Sequence, residues 1–71
     1  MPLNEALKRC RKARKVTQKQ AAEAAGVSGA MYQFYEYGQN EPTAGVLIRL
    51  ADFYDVSLDY LVGRSEDPQR R

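Results

Sequence analysis

The chain has 71 residues, enough for one small domain with a modest core and too few for a second. It holds 44% hydrophobic and 28% charged residues, ordinary globular values, so a disordered chain is not expected; no histidine and Cys10 alone argue against a disulfide framework, a cysteine/histidine metal site and histidine-based catalysis. The net charge of +2 conceals an asymmetry, because residues 1–20 carry seven Lys and Arg against Glu5 alone, whereas residues 21–71 carry four Arg against eight acids.

Apolar spacing and cap residues predict five helices. The first runs from about Leu3 to Arg14, with Leu3, Leu7 and Cys10 as its inner stripe and most of its basic residues on the other side. Thr17 is a good N-cap, with Gln20 three residues on as in a capping box, and opens a second helix from Gln18 to Ala25. Gly26 can end that helix in the left-handed conformation, and Ser28 can cap a third only two residues later. The third helix is expected from about Gly29 to Tyr37, stopping at Gly38. After a loop from Gln39 to Pro42, Thr43 caps a fourth over about Ala44 to Tyr54, in which Leu47, Leu50, Ala51 and Tyr54 recur at helical spacing. Ser57 caps a short fifth helix that Gly63 ends. The expectation is an all-α, compact five-helix bundle over residues 1–64, followed by a polar tail over residues 65–71.

The longest run without a charge, Ala24 to Tyr35, is far shorter than the about 20 apolar residues of a membrane span. Charges at Glu5, Lys8 and Arg9 occupy the place of a signal peptide's apolar segment, so the chain reads as cytoplasmic, with no membrane partner. The basic first 20 residues suit a polyanion, since each phosphate neutralised releases condensed counterions; a solvated helix face is the alternative.

The series Thr17-Gln18, Ala21-Ala22, Ala25-Gly26-Val27-Ser28, then Tyr35-Glu36 and Gly38, Glu41-Pro42-Thr43, Leu50-Ala51, and Val56 to Leu61 with Gly63 resembles the Cro/phage-repressor helix-turn-helix family. The resemblance covers residues from about 7 to 63. It implies a lambda-repressor-like fold, with the third helix reading the major groove of double-stranded DNA and the second lying across the backbone. The implied base contacts are Gly29, Ala30, Gln33 and Phe34. Of these Gln33 is the one polar reader, able to pair with adenine, while Ala30 and Phe34 suit thymine methyl groups. The implied phosphate contacts are Thr17, Gln18, Lys19, Tyr37, Asn40 and Thr43. Arg11 and Glu36 stand where family members often hold a structural ion pair, although the residues alone leave each equally able to be solvated.

On the third helix, about 100° per residue puts Ser28, Met31, Tyr32 and Tyr35 on an inner face and Gly29, Ala30, Gln33, Phe34 and Tyr37 on an outer one. Ala21, Ala22 and Ala25 face inward from the second helix, small residues opposite large ones. The functional expectation is a sequence-specific transcriptional regulator, a repressor bound to operator DNA as a homodimer. Tyr60, Leu61 and Val62 are candidate dimer contacts, with Leu58 and Leu61 also expected in the core. The alternative is an antitoxin-like or adaptor module that sets the apolar outer face of the third helix on a protein. No enzyme activity, metal or cofactor is expected.

Overall fold

The computed structural model describes residues 2–69, so Arg70 and Arg71 of the tail lie outside the described residues. Five helices follow in order: α1 (Leu3–Arg14), α2 (Gln18–Ala25), α3 (Gly29–Tyr37), α4 (Ala44–Tyr54) and α5 (Leu58–Leu61), with no strand among the described residues. Each of the last four starts on a hydroxyl side chain that accepts the N–H three residues on, namely Thr17 from Gln20, Ser28 from Met31, Thr43 from Val46 and Ser57 from Tyr60. These caps satisfy donors that would otherwise lack a partner in the first turn. At Thr17 the capping box is complete, because Gln20 Oε1 accepts the Thr17 N–H at 2.8 Å. Gly26 and Gly38 end α2 and α3 with φ of 74° and 78°, the left-handed geometry glycine adopts without steric cost.

The helices converge on one core. Helix α2 packs on α3 and α4 through Ala21, Ala22 and Ala25, all buried, and α1 packs on α3, α4 and α5 through Ala6, Leu7 and Cys10. The largest fully buried side chains are Tyr32, Tyr54, Leu7, Leu50, Leu61 and Glu36. Small residues on α2 therefore stand opposite two tyrosines, and the pairing keeps the interior filled. Inside, the hydroxyls of Tyr32 and Tyr54 meet at 2.5 Å, and Tyr32 meets Tyr35 edge to face, with ring centroids 6.4 Å apart. No buried side-chain nitrogen or oxygen among the described residues lacks a hydrogen-bond partner.

Three expectations about the core are corrected. The buried residues of α3 are Tyr32, Tyr35 and Glu36; Ser28 is exposed because its hydroxyl is spent on the cap, and Met31 is half-buried at the edge of the core. Leu58, the first residue of α5, is 41% exposed instead of internal, while Leu61 is fully buried. That burial in turn removes Leu61 from the candidate dimer contacts. Residues 65–69 fold back on the start of α5, where the Ser57 N–H donates to the Pro68 carbonyl at 2.9 Å. No helix among the described residues is long and apolar enough to cross a membrane.

Candidate nucleic-acid interface

Helix α3 presents two chemically opposite sides. Gly29, Ala30, Gln33, Phe34 and Tyr37 are all exposed, with Phe34 at 39% and Tyr37 at 57%, and none of the five carries a charge. At helical spacing Gln33 follows Gly29 along one row, and Phe34 follows Ala30 along the next. The face thus has a polar edge with one amide and an apolar edge with one ring.

The opposite side is held by a buried polar network. Glu36 is 1% exposed, and its carboxylate accepts from Arg11 Nε at 2.7 Å, from Arg11 Nη2 at 3.2 Å and from Gln18 Nε2 at 3.1 Å. The Tyr32 hydroxyl also favours the ionised form of this carboxylate. Burial pushes the Glu36 carboxyl upward, but Arg11, Tyr32 and Gln18 together outweigh it and hold the group below the usual carboxylate range. The Arg11 guanidinium is raised in turn, chiefly by its bond to Glu36. Burial first, and the bond between the two hydroxyls next, raise Tyr32, while burial pushes Tyr54 up to about 12. Either hydroxyl of the Tyr32–Tyr54 pair can donate to the other. One carboxylate on α3 therefore joins α1 and α2 to the helix that carries the exposed row, and the tyrosine pair extends the join to α4.

This network defines what Gln18 does in the free chain. Its side chain bonds Glu36 and is half-buried, and beside it Lys19 is exposed; the cap takes the Gln20 N–H and leaves the first N–H groups of α2 without an intrahelical partner. Thr17 and Thr43 are exposed residues whose hydroxyls serve the caps of α2 and α4. Asn40 sits in the loop after α3 and reaches back to Met31 Sδ at 3.3 Å. The starts of α2 and α4 and the outer row of α3 thus come from separate stretches of chain, held by a shared interior.

The basic residues of the first 20 positions divide into two uses. Arg11 is tied to Glu36, and Arg14 donates to the Tyr54 carbonyl at 3.1 Å and pairs with Asp55 at 3.6 Å, which fixes α1 to the end of α4. Lys12, Lys15 and Lys19 are exposed. Periodicity alone places Tyr54 in the core but says nothing of its hydroxyl. The Tyr32 to Tyr54 bond, the Gln18 to Glu36 bond and the Arg14 anchor are pairings between distant residues, and no local sequence signal marks them. Among the described residues no group of three histidine, cysteine or acidic side chains could hold a metal ion.

The Helix-turn-helix family model matches residues 7–61. The chain belongs to the Cro/phage-repressor helix-turn-helix family. Among its relatives, an uncharacterized HTH-type transcriptional regulator of Bacillus subtilis (strain 168), YqaE, is 44% identical over 83% of this chain and 51% of its own. The cryptic phage CTXphi transcriptional repressor RstR of Vibrio cholerae serotype O1 (strain ATCC 39315 / El Tor Inaba N16961) is 41% identical over 90% of this chain and 57% of its own. A crystal structure of the P22 c2 repressor protein in complex with the synthetic operator 9T, in the presence of Tl+, superposes with a TM-score of 0.85 at 26% identity. It covers 92% of this chain and 98% of that one. The chain spans about half the length of the curated relatives it matches. Helices α2 and α3 follow one another across a short turn that Gly26 opens.

Proposed function

We propose that this helix-turn-helix chain is the DNA-binding part of a sequence-specific transcriptional regulator, a repressor that occupies operator DNA as a homodimer with α3 in the major groove. The observation that carries the reading is the outer row of α3. It is exposed and uncharged, it is oriented from behind by the buried Arg11–Glu36–Gln18 network, and it belongs to a chain whose first 20 residues are strongly basic. Gln33 makes a bidentate contact to adenine, while Ala30 and Phe34 lie against thymine methyl groups, so the preferred sites contain A·T pairs. Thr17, Gln18, Lys19, Tyr37, Asn40 and Thr43 meet the phosphates, mainly by first-turn N–H groups at α2 and α4 and by the lysine charge, and set register without adding base preference. The free-state bond from Gln18 to Glu36 leaves its main-chain N–H for that role.

For the second subunit, exposed apolar surface is available on α4 and α5. Ile48 is 51%, Leu58 41% and Val62 39% exposed, Ile48 and Leu58 line one groove, and Tyr60 is half-buried nearby in sequence. We assign the dimer contact to Leu58, Tyr60 and Val62 with Ile48; dimers of this kind read half-sites about 34 Å apart along the duplex.

Selection of bound sequences from random duplex DNA, with the salt dependence and the stoichiometry measured on the winners, tests the reading. Expected are an A·T-containing dyad, two chains per site, and a log affinity that falls by about 0.9 per tenfold rise in salt for each phosphate contacted. The exposed rings of Phe34 and Tyr37 favour a second reading, an antitoxin-like or adaptor surface for a protein. That contact would be nearly indifferent to salt, and a chain that enriches no duplex would leave it as the better account.

A further inference from the structure

The five glycines fall into two groups. Gly26, Gly38 and Gly63 have φ of 74°, 78° and 84°, a conformation that explains them within the fold. Gly29 and Gly45 are helical, do not have positive φ, and are exposed. A Cβ on Gly29 would meet nothing within 4 Å, and one on Gly45 would just reach Thr43 Oγ1 at 4.0 Å, ordinary contact. Neither dihedral nor packing therefore calls for glycine at these two places. Alanine would favour the helix and restrict the unfolded chain, so both considerations internal to the fold favour a side chain.

What the two positions share is their place. Gly29 is the first residue of α3 and Gly45 the second of α4, the two helix starts that the DNA-binding reading sets against the duplex. In each, the cap hydroxyl takes a deeper N–H, that of Met31 or Val46, which leaves the N–H groups of exposed Gly29 and Gly45 without an intrahelical partner. A helical Cα–Cβ bond tilts toward the helix N-terminus, so a side chain here would project toward whatever lies ahead of the helix end. We infer that Gly29 and Gly45 are clearance residues, whose bare backbone lets the first turns of α3 and α4 come within hydrogen-bond distance of the DNA. The inference rests on the DNA-binding reading and changes the role of Gly29: it contributes absence of bulk and a main-chain N–H, and the side-chain readout passes to Gln33 and Phe34 one turn later.

Gly29→Ala, Gly45→Ala and Gly29→Val, made in the 71-residue chain, separate fold from binding. The probe is the duplex that the wild-type chain enriches from random DNA, with a scrambled duplex of equal length as control. Each alanine variant should melt about 2–6 °C above wild type. Each should also bind the enriched duplex at least about tenfold more weakly, a loss of about 1.4 kcal/mol. Gly29→Val should bind more weakly still. Opposite signs for stability and affinity are the signature of clearance. Alanine variants that bind as tightly as wild type, or that melt below it, overturn the inference while leaving the DNA-binding reading intact. A wild-type chain that enriches no duplex removes both.

Discussion

Replacing Glu36 by glutamine keeps the shape of the side chain and removes its charge from a nearly sealed site. The carboxylate accepts two hydrogen bonds from Arg11 and one from Gln18, and glutamine can return only one oxygen to them while turning an NH2 toward a donor. Hydrogen bonds to charged groups contribute about 1.5–3 kcal/mol each, and breaking a buried pair costs about 3–5 kcal/mol. The Arg11 side chain keeps 18% exposure, so water recovers part of its solvation and the expected loss is about 2–4 kcal/mol. In a domain of this size 1 kcal/mol moves the melting temperature by about 4–8 °C, so Glu36→Gln should melt roughly 10–25 °C below wild type by circular dichroism. Glu66→Gln, at an exposed position, is the control and should stay within about 0.5 kcal/mol. The acid limb gives a second readout. Because the fold lowers the Glu36 pKa, its contribution is present above the unfolded value of about 4.3 and is lost as pH falls through the lower folded value. Wild type should thus lose stability on acidification more steeply than the variant. Equal melting temperatures for Glu36→Gln and Glu66→Gln would refute the reasoning and reduce the network to a surface contact.

Ala21→Leu places three extra carbons at a fully buried position facing filled helices, and should destabilise by about 1–3 kcal/mol in urea unfolding; a stabilised variant would reveal a void. At the alkaline end, Tyr32 and Tyr54 both have raised pKa values, Tyr54 at about 12, so their contribution is intact below about pH 10 and is lost as pH rises through the folded values. Tyr54→Phe should cost about 1 kcal/mol at neutral pH and lose stability less steeply above pH 10, whereas an unchanged alkaline slope would exclude Tyr54 as one of the titrating groups. Gln33→Ala should weaken binding to the enriched duplex about tenfold or more while leaving the scrambled duplex unaffected, and retained base preference across a site library would remove Gln33 as a reader.

The helices and their ends were legible in the chain because they are written locally. A hydroxyl residue three positions before the N–H it caps, a glycine where the chain must turn left-handed, and apolar residues at helical spacing each act within one or two turns, so Thr17, Ser28, Gly38, Thr43 and Ser57 could be read without knowing what they pack against. The exposed row of α3 was legible for the same reason, as the part of the pattern that periodicity leaves outside. Periodicity failed where a side chain's fate depends on a partner far along the chain. The residues alone leave Glu36 able to be a solvated acid; the family resemblance pairs it with Arg11, 25 residues away, and Gln18, 18 away, joins the pair only in space. Leu58 looks like core by spacing, yet at the start of α5 it is left exposed where Leu61 is buried. Burial of a polar group is decided by whether its bonds are replaced, and those replacements come from other helices. The sequence alone thus determined the order, the ends and the outer face of the helices. Tertiary structure alone decided that the Glu36 carboxylate is buried and takes Gln18 of α2 as well as Arg11, and that Gly29 and Gly45 stand in open space.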